Sequence, residues 1–210
     1  MRTPFDPECR RCGRLADFLD AVKAEHPDYF CRPVPAFGVA DPGLLVVGLA
    51  PGMHGANATG RPFTGDYAGI LLYQTLHRFG FASAAQSVSA ADGLRLIDCR
   101  ITNAVKCLPP QNKPLGAEIN TCRDFLAAEL AGFREGGVVV ALGSIAHKSV
   151  VAAFARPQRT YPFGHAAEHA MPRDITLIDS YHCSRYNTQT KRLTAAMFDQ
   201  IFERARALLR

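Results

Sequence analysis

Four short apolar runs punctuate the chain. Each is followed by a polar stretch and then by apolar positions at helical spacing. The runs are Leu44 to Leu49, one within Leu94 to Val105, Val138 to Leu142, and Ile175 to Tyr181. Runs of this length, bounded by turn residues, fit strands buried on both faces. Helical spacing follows in Gly69 to Phe79, Ala117 to Arg134, Ser144 to Phe154 and Leu193 to Leu209. An earlier helix carries Leu15, Phe18, Leu19 and Val22 on one face. Gly80 stands where a left-handed helix terminus belongs, and Gly136-Gly137 end the third helix. Strands alternating with helices predict an α/β fold, a three-layer α/β/α sandwich with a central four-stranded parallel sheet. The proline-rich stretch 25–42, the small and polar stretch 82–93, and the stretch 155–174 read as irregular connections. Residues 1–210 read as a single domain.

Open α/β sheets place their ligands at the carboxyl ends of the strands, and here the loops at those ends hold the reactive side chains. After the first strand come His54, Asn57, Arg61, Phe63, Thr64 and Asp66, interleaved with Gly52, Gly55, Gly60 and Gly65. The glycines let the backbone bend sharply and let a ligand approach it closely. A carboxylate, an imidazole, an amide and an aromatic ring in one loop suit a small planar polar ligand. Asn103 falls at the end of the second strand, where its amide offers a donor and an acceptor. His182-Cys183-Ser184-Arg185-Tyr186-Asn187 follows the fourth. The phosphate-cradling G-x-x-x-x-G-K-[ST] and the dinucleotide G-x-G-x-x-G are both missing, and Gly143-Ser144-Ile145-Ala146 is not a nucleophile elbow. His147 and Lys148 read as solvated helix residues. His165 and His169 have a loose metal-like spacing that no further ligand completes.

The chain has seven cysteines and no apolar run near the ~20 residues that span a bilayer. The N-terminal residues contain no secretory apolar region, so a cytoplasmic protein without a disulfide framework is expected. Cys9 and Cys12 form a C-x2-C pair ahead of the first helix, and Cys107 and Cys122 form a C-x14-C pair. Four thiolates suit an iron–sulfur cluster or a structural zinc. Lys and Arg number 24 against 19 Asp and Glu, a net charge of +5 that permits a polyanionic partner without requiring one.

Three segments, GLAPGMHGANATGRPFTGD, TNAVKCLPPQNKP and HCSRYNTQTKRLT, together with the four cysteines, closely resemble the uracil-DNA glycosylase superfamily. The match is nearest to its iron–sulfur family 5, or B-type, enzymes, and covers most of the chain. The resemblance implies a monofunctional glycosylase that removes uracil and other deaminated bases from DNA, acts as a monomer, and leaves an abasic site. It implies a [4Fe–4S] cluster on Cys9, Cys12, Cys107 and Cys122. Phe63 resembles the ring on which the flipped base stacks, Asn103 the base-reading amide, and His182 the donor to the departing base. Gly48 and Ala50 would border the base; His54 and Asn57 would position base or water. Most of the superfamily carries an acid just after the first strand; here Gly48-Leu49-Ala50-Pro51 has none, and Asp66 is the expected substitute, as catalytic group or as helix cap. Arg185 and Tyr186 stand where related enzymes insert a side chain into the duplex, and Asn187 would hold that loop or meet a phosphate. Arg10, Arg11, Lys106, Lys113 and Arg192 are phosphate-contact candidates. Cys183 replaces the family's usual proline. A non-catalytic damaged-DNA binding protein with a four-cysteine metal site is the alternative.

Overall fold

The structure, a computed structural model, describes residues 5–209. Its strands are β1 (Phe37–Gly38), β2 (Leu44–Gly48), β3 (Cys99–Asn103), β4 (Val138–Leu142), β5 (Glu168–Ala170) and β6 (Thr176–Ser180). Its helices are α1 (Gly13–Glu25), α2 (Ala56–Thr59), α3 (Tyr67–Arg78), α4 (Gly116–Ala131), α5 (Ser144–Ala153), α6 (Arg185–Gln189) and α7 (Ala195–Leu208). The strands form one sheet in the order β1-β3-β2-β4-β6-β5. The central four are parallel and are the four expected from the apolar runs. β1 and β5 are short antiparallel additions on β3 and β6, inside stretches expected to be irregular.

Alternation along the buried strands divides the core into two layers. Leu44, Val46, Val138, Val140, Ile101 and Ile178 face Leu72, Tyr73 and Leu76 of α3 and Phe198, Ile201 and Phe202 of α7. Leu45, Val47, Val139, Ala141 and Leu177 face Leu126 and Leu130 of α4 and Val150 and Val151 of α5. α1 lies against the far end of this second layer, with Leu15 packed beside Val105 and Phe125 and Leu19 beside Leu108. The parallel register sets Gly48 opposite Asn103 and Leu142 opposite Ser180, so the loops leaving these strands open on one edge of the sheet.

Two polar side chains expected at the surface are inside. Lys106 is fully buried, its ammonium on Thr102 Oγ1 and 2.7 Å from Glu129 Oε1, and it cannot meet a phosphate. His147, expected on a solvated face, is buried. Its Nδ1 lies 2.7 Å from Asp179 Oδ1 and its Nε2 2.8 Å from the Tyr161 carbonyl, while His169 approaches Asp179 Oδ2 at 3.1 Å. This knot ties α5, β5 and β6 together. Arg10 and Arg11 are engaged with Asp20 and Asp124 on the surface.

A second buried knot fixes the loop after β2. Arg61 bonds Asp92 at 2.7 Å, Ser87 Oγ at 3.0 Å and the Ala90 carbonyl at 2.7 Å, with Phe37 4.4 Å from its guanidinium. Burial would push the Asp92 carboxyl up; the Arg61 guanidinium and the N–H groups of Leu94, Val88 and Ser89 outweigh it and hold the carboxyl well below its usual range. Losing one partner of such a pair costs about 3–5 kcal/mol. Asp92→Asn should lower the urea midpoint accordingly at neutral pH. Because the folded-state value is depressed, the stability Asp92 contributes is complete above about pH 5 and is lost as pH falls. The gap between wild type and variant should therefore close in acid; a gap unchanged at about pH 3 would contradict the ion pair.

Candidate active site

The site is built where β2 and β3 end. Asn103 is buried, and its Oδ1 has no hydrogen-bond partner among the described residues. It sits so close over Gly48 that a Cβ there would collide with it and would stand 2.6 Å from the Phe63 ring. Gly48 thus makes room for the two side chains. Phe63 itself has φ +54°, an uncommon backbone state for a bulky residue, which the surrounding contacts hold in place. Tyr73 donates to the Pro62 carbonyl at 2.8 Å, and a side chain at Gly69 would overlap the Phe63 carbonyl oxygen.

Asp66 is the N-cap of α3, with Oδ1 accepting from the Gly69 N–H at 2.8 Å. Its Oδ2 turns to the glycine loop: a Cβ at Gly55 would come within 2.7 Å of it, and one at Gly52 within 3.5 Å. The two oxygens are therefore divided between a helix terminus and the cleft side of the loop. Burial raises the Asp66 carboxyl above its ordinary value, opposed by the N–H groups of Gly69 and Ala68.

His182 leaves β6 and faces Phe63 across the site, ring centroids 6.1 Å apart with 29° between planes. Desolvation lowers its imidazole to about 4, so the ring is neutral at physiological pH and carries one N–H to donate. Its carbonyl accepts from Asn187 Nδ2 at 2.8 Å, and Ser184 Oγ accepts from the Asn187 N–H to cap α6. Cys183 is fully buried in the core below. Burial of Cys183 and these two bonds fix the loop.

Together these elements enclose a cleft of about 560 Å³, lined by Ala50, His54, Phe63, Asp66, Asn103, Asn112, Tyr67, His182 and Arg185 among others. Asn57 is not among the lining residues. It is fully buried on α2, its Nδ2 toward Cys31 Sγ at 3.4 Å and its Oδ1 without a partner among the described residues. Tyr186 is exposed beyond the rim, and Asn187 holds the loop. Three neighbours were not expected from the sequence. Asn112 and Tyr67 line the cleft, and the Tyr29 hydroxyl lies 2.9 Å from His54 Nδ1. Tyr29 lies in the proline-rich stretch, where no spacing marks it. Asn112 could have been suspected from its polar turn after Pro109-Pro110.

Cys9, Cys12, Cys107 and Cys122 converge in an apolar shell with Leu15, Val105, Phe125 and Ala50. None of the four is paired in a disulfide. Burial pushes Cys107 up to about 12, and the other three sulfurs add to that shift; Cys12 and Cys122 are raised for the same first reason. The Lys106 N–H points at Cys122 Sγ, 3.3 Å away. The neighbouring sulfurs oppose ionisation of Cys107, and a cationic centre held by the four cysteines would relieve that opposition. Ala50 borders both this site and the cleft.

A doubly covered parallel sheet with an amide, an imidazole, an aromatic ring and a carboxylate at its carboxyl edge defines a small-ligand site on an α/β scaffold. A family profile described as the uracil DNA glycosylase superfamily matches residues 35–206. The chain is 42% identical over 205 residues to a Type-5 uracil-DNA glycosylase of Thermus thermophilus, covering 95% of this chain and 93% of that one. It is 43% identical over 213 residues to a Type-5 uracil-DNA glycosylase of Mycobacterium leprae, covering 95% and 91%. A Type-4 uracil-DNA glycosylase of Pyrobaculum aerophilum is 36% identical over 124 residues, 59% of this chain and 55% of that one. The chain belongs to the uracil DNA glycosylase superfamily.

The desolvation of His182 at the cleft wall has a direct signature. Its nitrogen resonances should titrate with a midpoint near 4. Because the folded state resists this proton, stability should fall as pH drops from about 6.5 toward that midpoint. An imidazole that titrates near its ordinary value would contradict the desolvated position.

Proposed function

We propose that the protein is a monofunctional DNA glycosylase that hydrolyses the N-glycosidic bond of uracil and other deaminated bases in DNA, leaving an abasic site. The observation that carries this reading is the orphaned Asn103 amide oxygen, buried beside the Phe63 ring and in the same cleft as His182 and Asp66. An extruded base fits these partners: an aromatic face to stack on and an amide for its hydrogen-bonding edge. As the bond breaks, the base takes up negative charge and the sugar becomes oxocarbenium-like. A neutral His182 donates to the departing base without holding a full charge in the ground state. That bond strengthens as the leaving group becomes an anion. Asp66 Oδ2 supplies negative charge for the cation and an acceptor that orients water. The cleft's about 560 Å³ lies within the ~300–1,000 Å³ of small-ligand sites, so it has room for a purine as well as a pyrimidine. Monofunctional action is supported by the cleft's described lining, which holds no lysine amine for a Schiff base.

In this reading Arg185 and Tyr186 contact the DNA, and residues 1–210 act as one domain. Cys9, Cys12, Cys107 and Cys122 hold a [4Fe–4S] cluster whose contribution is to tie the start of α1 to the segment that leads into α4. Among the described residues, the trio of metal-competent side chains with ligand atoms within 4.8 Å of one another is His147, His169 and Asp179, not the cysteines. The likeness to the Type-5 glycosylases and the four-cysteine pattern favour a cluster over zinc.

The test is base release from duplexes containing uracil, hypoxanthine or xanthine, read as alkali-labile sites. Release from uracil is expected, with His182→Ala slower by about 100-fold or more and still folded. Borohydride should trap no protein–DNA adduct. DNA binding without release from any of the three would favour a non-catalytic binding protein. Metal analysis of protein purified without oxygen should give about four irons per chain; zinc in their place would contradict the cluster.

A further inference from the structure

A second groove, of about 490 Å³, adjoins the cleft and shares Gly65, Asp66, Tyr67 and Arg185 with it. Its outer wall is Ile70 on α3 and Gln86 to Val88 on the loop before β3. Ile70 is 56% exposed, Val88 66% and Tyr67 38%. Single exposed apolar residues are ordinary, but several gathered on one groove beside a ligand site mark an interaction surface. The wall is also held rigid. The Val88 N–H donates to Asp92 Oδ2 at 2.8 Å, and Ser87 Oγ bonds Arg61 at 3.0 Å and Thr64 Oγ1 at 2.7 Å. The buried Arg61–Asp92 pair therefore presents Val88 to solvent in a fixed position. At the seam between the two cavities the Arg185 guanidinium lies 5.0 Å from the centre of the Tyr67 ring.

We propose that this groove holds the base of a nucleotide next to the extruded one, on the same strand. The inference rests on the glycosylase reading of the cleft. A strand with one base in the cleft must continue past its rim, and the groove begins at that rim. Tyr67, Ile70 and Val88 offer apolar contact to a base face. Gln86 and Ser87 offer polar atoms to its edge, and Arg185 is placed for the phosphate between the two nucleotides. Apolar platforms beside a cation are how proteins grip unpaired strands. The neighbouring base leaves its stack together with the target, so single-stranded or frayed DNA around the lesion is the preferred substrate.

The experiment uses the full chain and uracil-containing single strands in which the base on the 5′ or the 3′ side of uracil is replaced by a tetrahydrofuran residue. One of the two replacements should raise the KM of wild type about 10-fold, within the range of one lost stacked base. Ile70→Asp and Val88→Asp, both at exposed positions, should raise the KM of the intact strand by a similar factor. On the strand already lacking that base they should add nothing. Indifference to both replacements, or penalties that multiply, would overturn the groove. The same strands are also measured for Kd by fluorescence anisotropy. A wild type that releases uracil neither from these strands nor from duplexes sinks the glycosylase reading, while the same pattern in Kd still decides the groove.

Discussion

The site depends on close approach of side chains to backbone at three positions without a Cβ. Phe63 and Asn103 press on Gly48, Asp66 presses on Gly55, and the Phe63 carbonyl occupies the space a side chain would take at Gly69. These contacts fold the loop from β2 back against the start of α3. They also make the strained backbone of Phe63 tolerable, because the alternatives are filled. A methyl group at any of the three would separate the ring, the amide or the carboxylate from its place.

The rest of the molecule serves that loop from outside. The Arg61–Asp92 pair anchors it to the segment before β3, and the Tyr73 hydroxyl anchors it to α3. The sheet fixes the other half of the site: Asn103 lies beside Gly48 by strand register, and His182 follows β6, which the Asp179 knot binds to α5 and β5. Ala50 stands between the four-cysteine site and the cleft.

Much of this was legible in the sequence, for identifiable reasons. β2 and β4 are unbroken apolar runs, β3 and β6 mix apolar and polar positions between turn residues, and the helices carry one apolar face, so hydrophobic pattern and its punctuation located them. β1 and β5 are two and three residues long and are held by backbone pairing to β3 and β6, which leaves no periodic trace. Phe63, Asp66, Asn103 and His182 stood out because polar or aromatic residues followed buried strands. Asn57 stood out for the same reason and is fully buried, its amide nitrogen toward Cys31. Lys106 and His147 were misplaced because a charged residue beside an apolar face looks solvated until its partner is known. Glu129 and Asp179, the partners, lie 23 and 32 residues further along the chain.

Asp66 caps α3 with one oxygen, and in the proposed reaction its other oxygen serves the chemistry, so the two roles are separable. Asparagine caps a helix about as well as aspartate but carries no charge. The deciding measurement is single-turnover uracil release by Asp66→Asn and Asp66→Ala, each beside its melting temperature. The account predicts that Asp66→Asn melts like wild type yet releases uracil at least about 100-fold more slowly. Asp66→Ala should lose that rate and about 1 kcal/mol of stability besides. An Asp66→Asn protein as fast as wild type, with only Asp66→Ala impaired, would reduce Asp66 to a helix cap and contradict the account.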